Sequence, residues 1–463
     1  MENTTGQYPP VAVADMIKAR DIRAEKQKQL LDEYHSTVIS CTMNIAGPVK
    51  NSLLIRRGFD TGIASLKRSL ASEPIHILRK ESVKAATGNE ALFVVDRDPL
   101  SIKKITCGIE ESSPIGRLFD FDVIAPDGRK IGREEAGFPE RACLICGKPA
   151  KICARSRSHP LSELAFETTK ILMSGIKEYW GARICREAVR ALLYEASTTP
   201  KPGLVDRNNN GSHADMSFAT FIDSSTALMP YFRDCIRIGI ETSAMAPEGT
   251  FNELIHLGKT AENIMYEATG GINTHKGAIY SLGILCGAYG RLILKPIEKI
   301  TLQVLLDECS DMVKASVDQY FRDLSPETAR TEGGRLYLQY HIRGVRGQAA
   351  DGFPAVRKYG LPVLEAGLMK GMDINDAGCC ALLWIIANND DTNIIHRSSR
   401  ELQHEIADSL REHLGNDPYP SKQFIENLDR QFITQNISPG GSADLLSVCY
   451  FLHFLTALHL LEE

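Results

Sequence analysis

The sequence is short of the features that commit a chain to one kind of partner. Its net charge is only −5 over 463 residues, so overall charge selects no ligand. It has neither a strongly basic face nor an aromatic-basic motif, which argues against nucleic acid. The start, MENTTGQYPPVAVADMIKAR, lacks the basic and apolar run of a secretory signal. The longest apolar run, LLSVCYFLHFLTALHLL, stops at 17 residues, carries His453 and His459, and ends in Glu462 and Glu463. That is too short for a comfortable membrane span, so a buried helix is expected there and no membrane. No repeat or low-complexity segment is visible. With no export signal, the twelve cysteines are expected to be reduced thiols in a cytoplasmic protein.

What is present is ordinary in amount and uneven in arrangement. A hydrophobic content of 43% and a charged content of 24% suit a globular chain, and 463 residues are enough for two cores. Residues 10–34 read as a charged amphipathic helix, and STVISCTMNI as a strand ending at the Gly47-Pro48 turn. ALFVVD (91–96), IKKITCGIE (102–110) and GRLFDFDVI (116–124) also read as strands, with a turn at Asp127-Gly128. LLIRRGFDTGIASLKRSL is the chief helical pattern of this part. The first domain is therefore expected to be α+β with a mainly antiparallel sheet.

Beyond about residue 160 the apolar spacing settles near 3.6, as in SELAFETTKILMSGIKEYW and HKGAIYSLGILCGAYGRLIL, and strand alternation disappears. The second domain is expected to be all-α. The boundary is placed within SGIKEYWG (174–181), giving domains 1–178 and 179–463. Charge divides there too. The first part carries four more bases than acids, and the second nine more acids than bases.

Two clusters in the first domain can carry chemistry. In a strand, Asp120 and Asp122 share one face while Phe119, Phe121 and Val123 share the other. Carboxylates roughly 7 Å apart along a strand can hold Mg²⁺ over a polyphosphate, or can simply form the solvated face of an edge strand. Lys50 and Arg117 supply nearby cations for phosphate. In RACLICGKPAKICARSRSH (141–159), Cys143, Cys146, Cys153 and His159 offer a zinc set. The C-x₅-H spacing of the last two is looser than in common zinc motifs, and plain reduced thiols are the alternative.

The helical half holds four dense segments. TTPKPGLVDRNNNGSHADMSF (198–218) packs Lys201, Asp206, Arg207, His213 and Asp215 into one loop. In TGGINTHKGAIYSLG (269–283), Asn273 and Thr274 can cap a helix starting near His275, with Lys276 beside free amides suited to phosphate. HIRGVRGQAADGFPAV (341–356) places Arg343 and Arg346 among glycines. In PGGSADLLS (439–447), Ser442 reads as a helix cap and Asp444 as a first-turn acid or a metal ligand. Each also has a plain structural reading. Together they indicate a site for a phosphorylated substrate.

PKPGLVDRNNNGSHADM, TGGINTHKGAIYSLG, RGQAADGFP and GGSADLL resemble the triphosphoribosyl-dephospho-CoA synthase family. GPVKNS, GRLFDFDVI and CLICGKPAKICARSRSH resemble the apo-citrate lyase phosphoribosyl-dephospho-CoA transferase family, the holo-acyl-carrier-protein synthases of citrate lyase. The two resemblances cover nearly the whole chain and imply a natural fusion. The helical domain would join ATP to 3′-dephospho-CoA, the 2′-hydroxyl of the latter displacing adenine from the ATP ribose. The first domain would pass the product, less diphosphate, to a serine of the citrate lyase acyl carrier protein (gamma subunit).

For such a reaction Asp206, Asp215 and Asp444 are the candidate carboxylates, Asp215 and Asp444 as metal-bound acids. Lys201, Asn273, Thr274, Lys276, Arg346 and Ser442 would bind substrate phosphates, and His213 or His275 would move a proton. Asp120 and Asp122 would hold Mg²⁺ in the first domain, with Lys50 and Arg117 as phosphate clamps. Three positions depart from the family patterns: Ala46 in place of proline, Gln348 in place of glutamate, and Ser398-Ser399 in place of two glycines. The competing readings are a metal-dependent phosphohydrolase or glycohydrolase, a non-enzymatic chaperone for the carrier protein, and the equivalent cofactor synthesis for malonate decarboxylase.

Overall fold

The computed structural model describes residues 8–297 and 299–461, so Glu462, Glu463 and the first seven residues of the start lie outside it. The chain divides into two compact units, Met1–Tyr179 and Trp180–Glu463.

In the first unit the order is α1 (Val13–Tyr34), β1 (Thr37–Met43), α2 (Leu53–Ala71), β2 (Ile77–Ala85), β3 (Gly88–Val95), α3 (Pro99–Glu111), β4 (Phe119–Ile124) and α4 (Ala150–Ser156). The four strands form one antiparallel sheet in the order β2-β3-β1-β4. Alternation decides which face is which. Ile39, Cys41, Phe93, Val95, Phe119, Phe121 and Val123 pack into the larger core, with α2 and α3 contributing Phe59, Leu66 and Ile102. Val38, Leu92, Val94 and Ile124 face the other way and meet Leu30 and Leu31 of α1.

IKKITCGIE is not a strand. It is the body of α3, because Asp98 accepts the amides of Leu100 and Ser101, each at 3.0 Å, and Pro99 presets the first helical φ. Its buried side chains, Ile102, Lys103, Thr106, Ile109 and Glu110, fall at helical spacing. β2 was not expected from the sequence. It is an edge strand exposed nearly throughout, with Arg79, Lys80, Glu81 and Lys84 along it, so no apolar alternation marks it.

A long helix, α5 (Leu161–Ser197), runs through the point where the two units divide. The second unit continues with α6 (Phe218–Ala227), α7 (Met229–Glu241), α8 (Pro247–Ala268), α9 (Lys276–Ile293), α10 (Leu302–Arg322), α11 (Glu332–Tyr340) and α12 (Gly344–Ala350). After these come α13 (Leu361–Met369), α14 (Ile374–Ala387), α15 (Thr392–Arg397), α16 (Arg400–Asn416), α17 (Lys422–Thr434) and α18 (Gly440–Ala457). No strand occurs among its described residues. The apolar C-terminal run forms most of α18 and is buried. Among the described residues no helix is long and apolar enough to cross a membrane.

Helix α9 is apolar almost all round and lies at the centre of this unit. Its approach to α7 is set by missing side chains. A Cβ on Gly239 would collide with the Gly287 carbonyl oxygen, and one on Gly290 with the Ile236 carbonyl oxygen. Arg291, at the far end of α9, is buried but fully engaged. It binds Glu308 at 2.5 Å and the carbonyls of Thr242 at 2.8 Å and Met245 at 3.0 Å. Gly239→Ala is expected to lower unfolding free energy by about 1–3 kcal/mol, the usual cost of overpacking, measured by urea denaturation. A neutral result would mean that the two backbones are not in contact.

Candidate functional site

The second unit contains a cavity of about 540 Å³, a volume typical of small-molecule sites. The segments singled out in the sequence converge on it. Lys201, His213, Asp215, Asn273, Thr274, His275, Lys276, Arg346, Gln348 and Asp444 all line it. Gly270 and Gly271 make this possible on one side: both have positive φ, +66° and +93°, and turn the chain from α8 back into α9. The α9 N-terminus opens on the cavity, with Asn273 Oδ1 accepting the Lys276 amide at 3.3 Å.

The carboxylates here differ in exposure: Glu195 and Asp391 are buried, Asp444 is half-buried and Asp215 is exposed. Asp444 sits over Gly277, where a Cβ would strike its Oδ2, and it accepts the Ala278 amide. Burial, then repulsion from Glu195 and Asp391, raises its pKa well above the ordinary aspartate value. Glu195 is raised by burial too, though Lys201 opposes the shift, the two side chains meeting at 2.5 Å with almost no exposure. Asp391, also raised by burial, accepts the Ser442 amide at 2.7 Å and the Ser442 hydroxyl at 2.8 Å.

These contacts change three expected roles. Ser442 does not cap α18 with its side chain and does not face a ligand. The helix starts two residues earlier, at Gly440, and the fully buried Ser442 hydroxyl is committed to Asp391. Asp206 is not on the cavity wall. Its oxygens accept the amides of Lys201, Asn208 and Asn209 at 3.1, 2.7 and 3.0 Å, so it latches the loop that carries Lys201. Asp429 fastens the same loop by accepting from Gly203 and Asn209. Thr274 donates to Ser224 Oγ at 2.8 Å instead of capping α9.

The cations divide into bound and free. Lys276 pairs with Glu262 at 2.8 Å, and Arg343 with Asp318 and Asp351 at 2.8 and 3.1 Å. Arg346 stacks over the Tyr320 ring at 4.0 Å and has no carboxylate partner among the described residues. Arg397 also lines the cavity without one among them, donating to the Ser212 carbonyl at 2.9 Å.

Both histidines have lowered pKa values. Arg397 lies 3.3 Å from His213 Nδ1 and can only donate, so the ring proton is on Nε2, 2.8 Å from Ser438 Oγ. Burial first and Arg397 second lower its pKa, against Asp215 at 3.8 Å. His275 is depressed further, to about 3, by burial and then by the charge of Lys201. Ser224 Oγ lies 2.7 Å from its Nδ1, while its Nε2 is buried with no partner among the described residues.

Gln348 spends its amide on structure, with Oε1 accepting the Ala355 amide and Nε2 donating to Asn389, both at 3.2 Å. Ser399 caps α16 through the Leu402 amide at 3.1 Å, a role that glycine fills less well.

In the first unit Asp120 and Asp122 share one half-buried face of β4, an edge strand. Asp122 meets Lys130 at 2.7 Å and Asp120 meets Arg141 at 3.6 Å. Lys50 donates to the Ile45 carbonyl at 2.6 Å, and burial followed by Arg20 lowers its pKa. Arg117 is exposed and binds the carbonyls of Ala142 at 3.2 Å and Cys143 at 2.9 Å. Behind the acids lies a buried group that the sequence did not reveal. Glu110 accepts the Phe121 amide at 2.9 Å and pairs with Arg133 and with Arg141, the latter at 2.7 Å, while Lys103 donates to the Phe121 carbonyl at 2.8 Å.

Asp444 is half-buried, faces the charges of Glu195 and Asp391 and has no cation partner among the described residues, so its surroundings fit a bound cation. Asp120 and Asp122 are about 40% exposed and each faces a cation, Arg141 at 3.6 Å and Lys130 at 2.7 Å, through one oxygen.

Comparison with known proteins adds to this geometry. Residues 182–462 match the family model of ATP:dephospho-CoA triphosphoribosyl transferase, and residues 11–174 that of apo-citrate lyase phosphoribosyl-dephospho-CoA transferase. The chain is 33% identical to Protein CitXG of Haemophilus influenzae over 96% of each chain. It is 36% identical to Protein CitXG of Leuconostoc mesenteroides subsp. cremoris over 94% of this chain and 95% of the relative. It is also 36% identical to the 2-(5''-triphosphoribosyl)-3'-dephosphocoenzyme-A synthase of Haemophilus ducreyi, over 68% of this chain and 100% of the relative.

Proposed function

The chain belongs to the CitXG family, an apo-citrate lyase phosphoribosyl-dephospho-CoA transferase joined to an ATP:dephospho-CoA triphosphoribosyl transferase, and on that premise we propose how its parts divide the work. It is a bifunctional transferase that makes the citrate lyase prosthetic group and attaches it. We assign synthesis to residues 179–463 and attachment to residues 1–178.

The observation that carries the first assignment is the cavity itself, which sets buried carboxylates against free guanidiniums at the N-terminus of α9. Arg346, Arg397, Lys276 and the first α9 amides hold the ATP triphosphate. Where Mg²⁺ is bound, it supplies positive charge against that triphosphate, and Asp444 and Asp215 are the residues that would hold it. As adenine leaves, the ribose gains positive charge, which Asp444 and Glu195 stabilise. The 2′-hydroxyl of 3′-dephospho-CoA forms the new bond to the anomeric carbon as the bond to adenine breaks. Its proton passes to a carboxylate of the cavity and the departing adenine takes one from a protonated carboxyl there, because the Nδ1 atom of each imidazole is already engaged. His213 positions Arg397, and Lys201 holds Glu195.

In the first unit Lys50 and Arg117 grip the diphosphate that leaves, and Asp120 and Asp122 orient Arg141 and Lys130 toward it. The acceptor is a serine of the citrate lyase acyl carrier protein. Because the reaction draws on ATP and dephospho-CoA, we place the protein in the cytoplasm.

The test is mass spectrometry of products from ATP, Mg²⁺ and 3′-dephospho-CoA. Adenine and a triphosphoribosyl-dephospho-CoA mass are expected in equal amounts. Release of ribose triphosphate without dephospho-CoA would mean a glycohydrolase instead. Arg346→Ala is expected to raise the KM for ATP by roughly 10–100-fold, the value of one or two charge-assisted hydrogen bonds. An unchanged KM removes Arg346 from the phosphate site.

A further inference from the structure

The chain from Ala125 to His159 follows the acidic strand and has only one short helix, α4. Such a long irregular stretch needs something to hold it, and its buried apolar side chains are few. Four side chains converge within it. One ligand atom from each of Cys143, Cys146, Cys153 and His159 lies within 4.8 Å of every other. Ligands bound tetrahedrally at 2.3 Å stand about 3.8 Å apart, so the set already approximates one coordination shell. Cys146 Sγ and Cys153 Sγ are 3.4 Å apart, with no disulfide between them.

The backbone is shaped to bring these four together. Cys143 and Cys146 flank a knuckle closed by the Cys143 amide on the Lys148 carbonyl at 2.6 Å, the Gly147 amide on the Cys143 carbonyl at 3.3 Å, and an Ala142–Pro149 bridge. Gly147 takes φ +72°, which a side chain would resist. Cys153 comes from α4. Arg157 ends that helix in the left-handed region at φ 49°, and the Ser158 amide returns to the Cys153 carbonyl at 3.2 Å, delivering His159 to the thiols. His159 Nδ1 lies 3.8 Å from Glu163 Oε2, while its Nε2 is buried with no hydrogen-bond partner among the described residues. A carboxylate behind one ring nitrogen and an unpartnered second nitrogen is the usual setting of a metal-bound imidazole.

We propose that Cys143, Cys146, Cys153 and His159 bind one structural Zn²⁺, closed to substrate, that staples this segment of the first unit. The donor set of three thiolates and one imidazole suits zinc and has no open position for catalysis. Binding displaces the thiol protons to solvent and needs no oxidant.

The measurement is elemental analysis of the full-length chain, purified untagged and without chelator, with thiol content determined in parallel. About one zinc per chain is expected, released by a mercurial that blocks thiols. Cobalt substitution of the same protein should give the absorption of tetrahedral thiolate-bound Co²⁺. Cys146→Ser, at the exposed member of the set, should lower zinc at least tenfold while adenine release by the helical unit shows that the variant is folded. Zinc-free protein with all four positions unable to take up cobalt, three freely titrating thiols, or a Cys146–Cys153 disulfide in the purified chain would each overturn the proposal. Full zinc in Cys146→Ser would overturn it as well.

Discussion

Asp444→Asn is expected to slow adenine release on the order of 10³-fold while making the ligand-free protein more stable at alkaline pH. The first effect follows from the role proposed for Asp444 beside the reacting ribose, a loss of the size seen when one such stabilising group is deleted. The second follows from what the native fold does to this carboxyl. Burial and the neighbouring Glu195 and Asp391 raise its pKa, so the folded chain keeps a proton that the unfolded chain gives up near pH 4. Between the unfolded value and the raised folded value the native state binds more protons. Stability therefore falls as pH rises through that window. Asparagine carries no such penalty. Melting temperatures at pH 5 and pH 8 without Mg²⁺ should differ more in the parent than in the variant. Adding Mg²⁺ at pH 8 should raise the parent's melting temperature and leave the variant's unchanged. A variant that melts like the parent at both pH values would show that the carboxyl is not under strain.

Lys201→Met is expected to cost about 3–5 kcal/mol of unfolding free energy, because it strands Glu195 as a buried, unpaired charge. The pair is enclosed on both sides, so solvent cannot substitute for the missing ammonium. Adding Glu195→Gln to the same chain should recover much of the loss, since the remaining amide carries no net charge. Urea denaturation of parent, single and double variants measures this directly. A single-variant cost below about 1 kcal/mol would mean that the pair behaves as a surface ion pair. Both variants should lose activity, but only the Lys201 variant should lose stability. The contrast distinguishes a carboxylate kept at a cost from a lysine that holds another in place.

The sequence disclosed the fold where periodicity and buried faces agree. The mainly antiparallel sheet of the first part and the all-helical second part follow from alternation in STVISCTMNI and FDFDVI and from 3.6-residue spacing after residue 160. It misled where local composition and capping disagree. Ile and Thr in IKKITCGIE suggested a strand, but the Asp98-Pro99 start outweighed them. β2 was invisible because an exposed edge strand has no buried face to alternate against.

At the site, loops dense in titratable groups pointed to the cavity wall, whereas the partners of those groups did not stand out. Glu195 and Asp391 lie in or beside helices, and their meaning depends on Lys201 and Ser442 six and fifty-one residues away. Asp206 looked chemical for the opposite reason. An aspartate in an Asn-rich loop binds its own backbone as readily as it binds a ligand, and here it does so.

The outer edge of β4 leads to a conclusion about docking. The middle of its outward backbone is already taken: Glu110 and Lys103 hold the amide and carbonyl of Phe121, and the Ile131 amide binds the Val123 carbonyl. An extended peptide arriving there finds no row of open hydrogen-bond sites and cannot lengthen the sheet. A carrier protein that docks at this edge must be read through side chains and surface shape, by a folded surface rather than by a borrowed strand. The same closure protects a sheet edge that would otherwise pair with a second copy of itself.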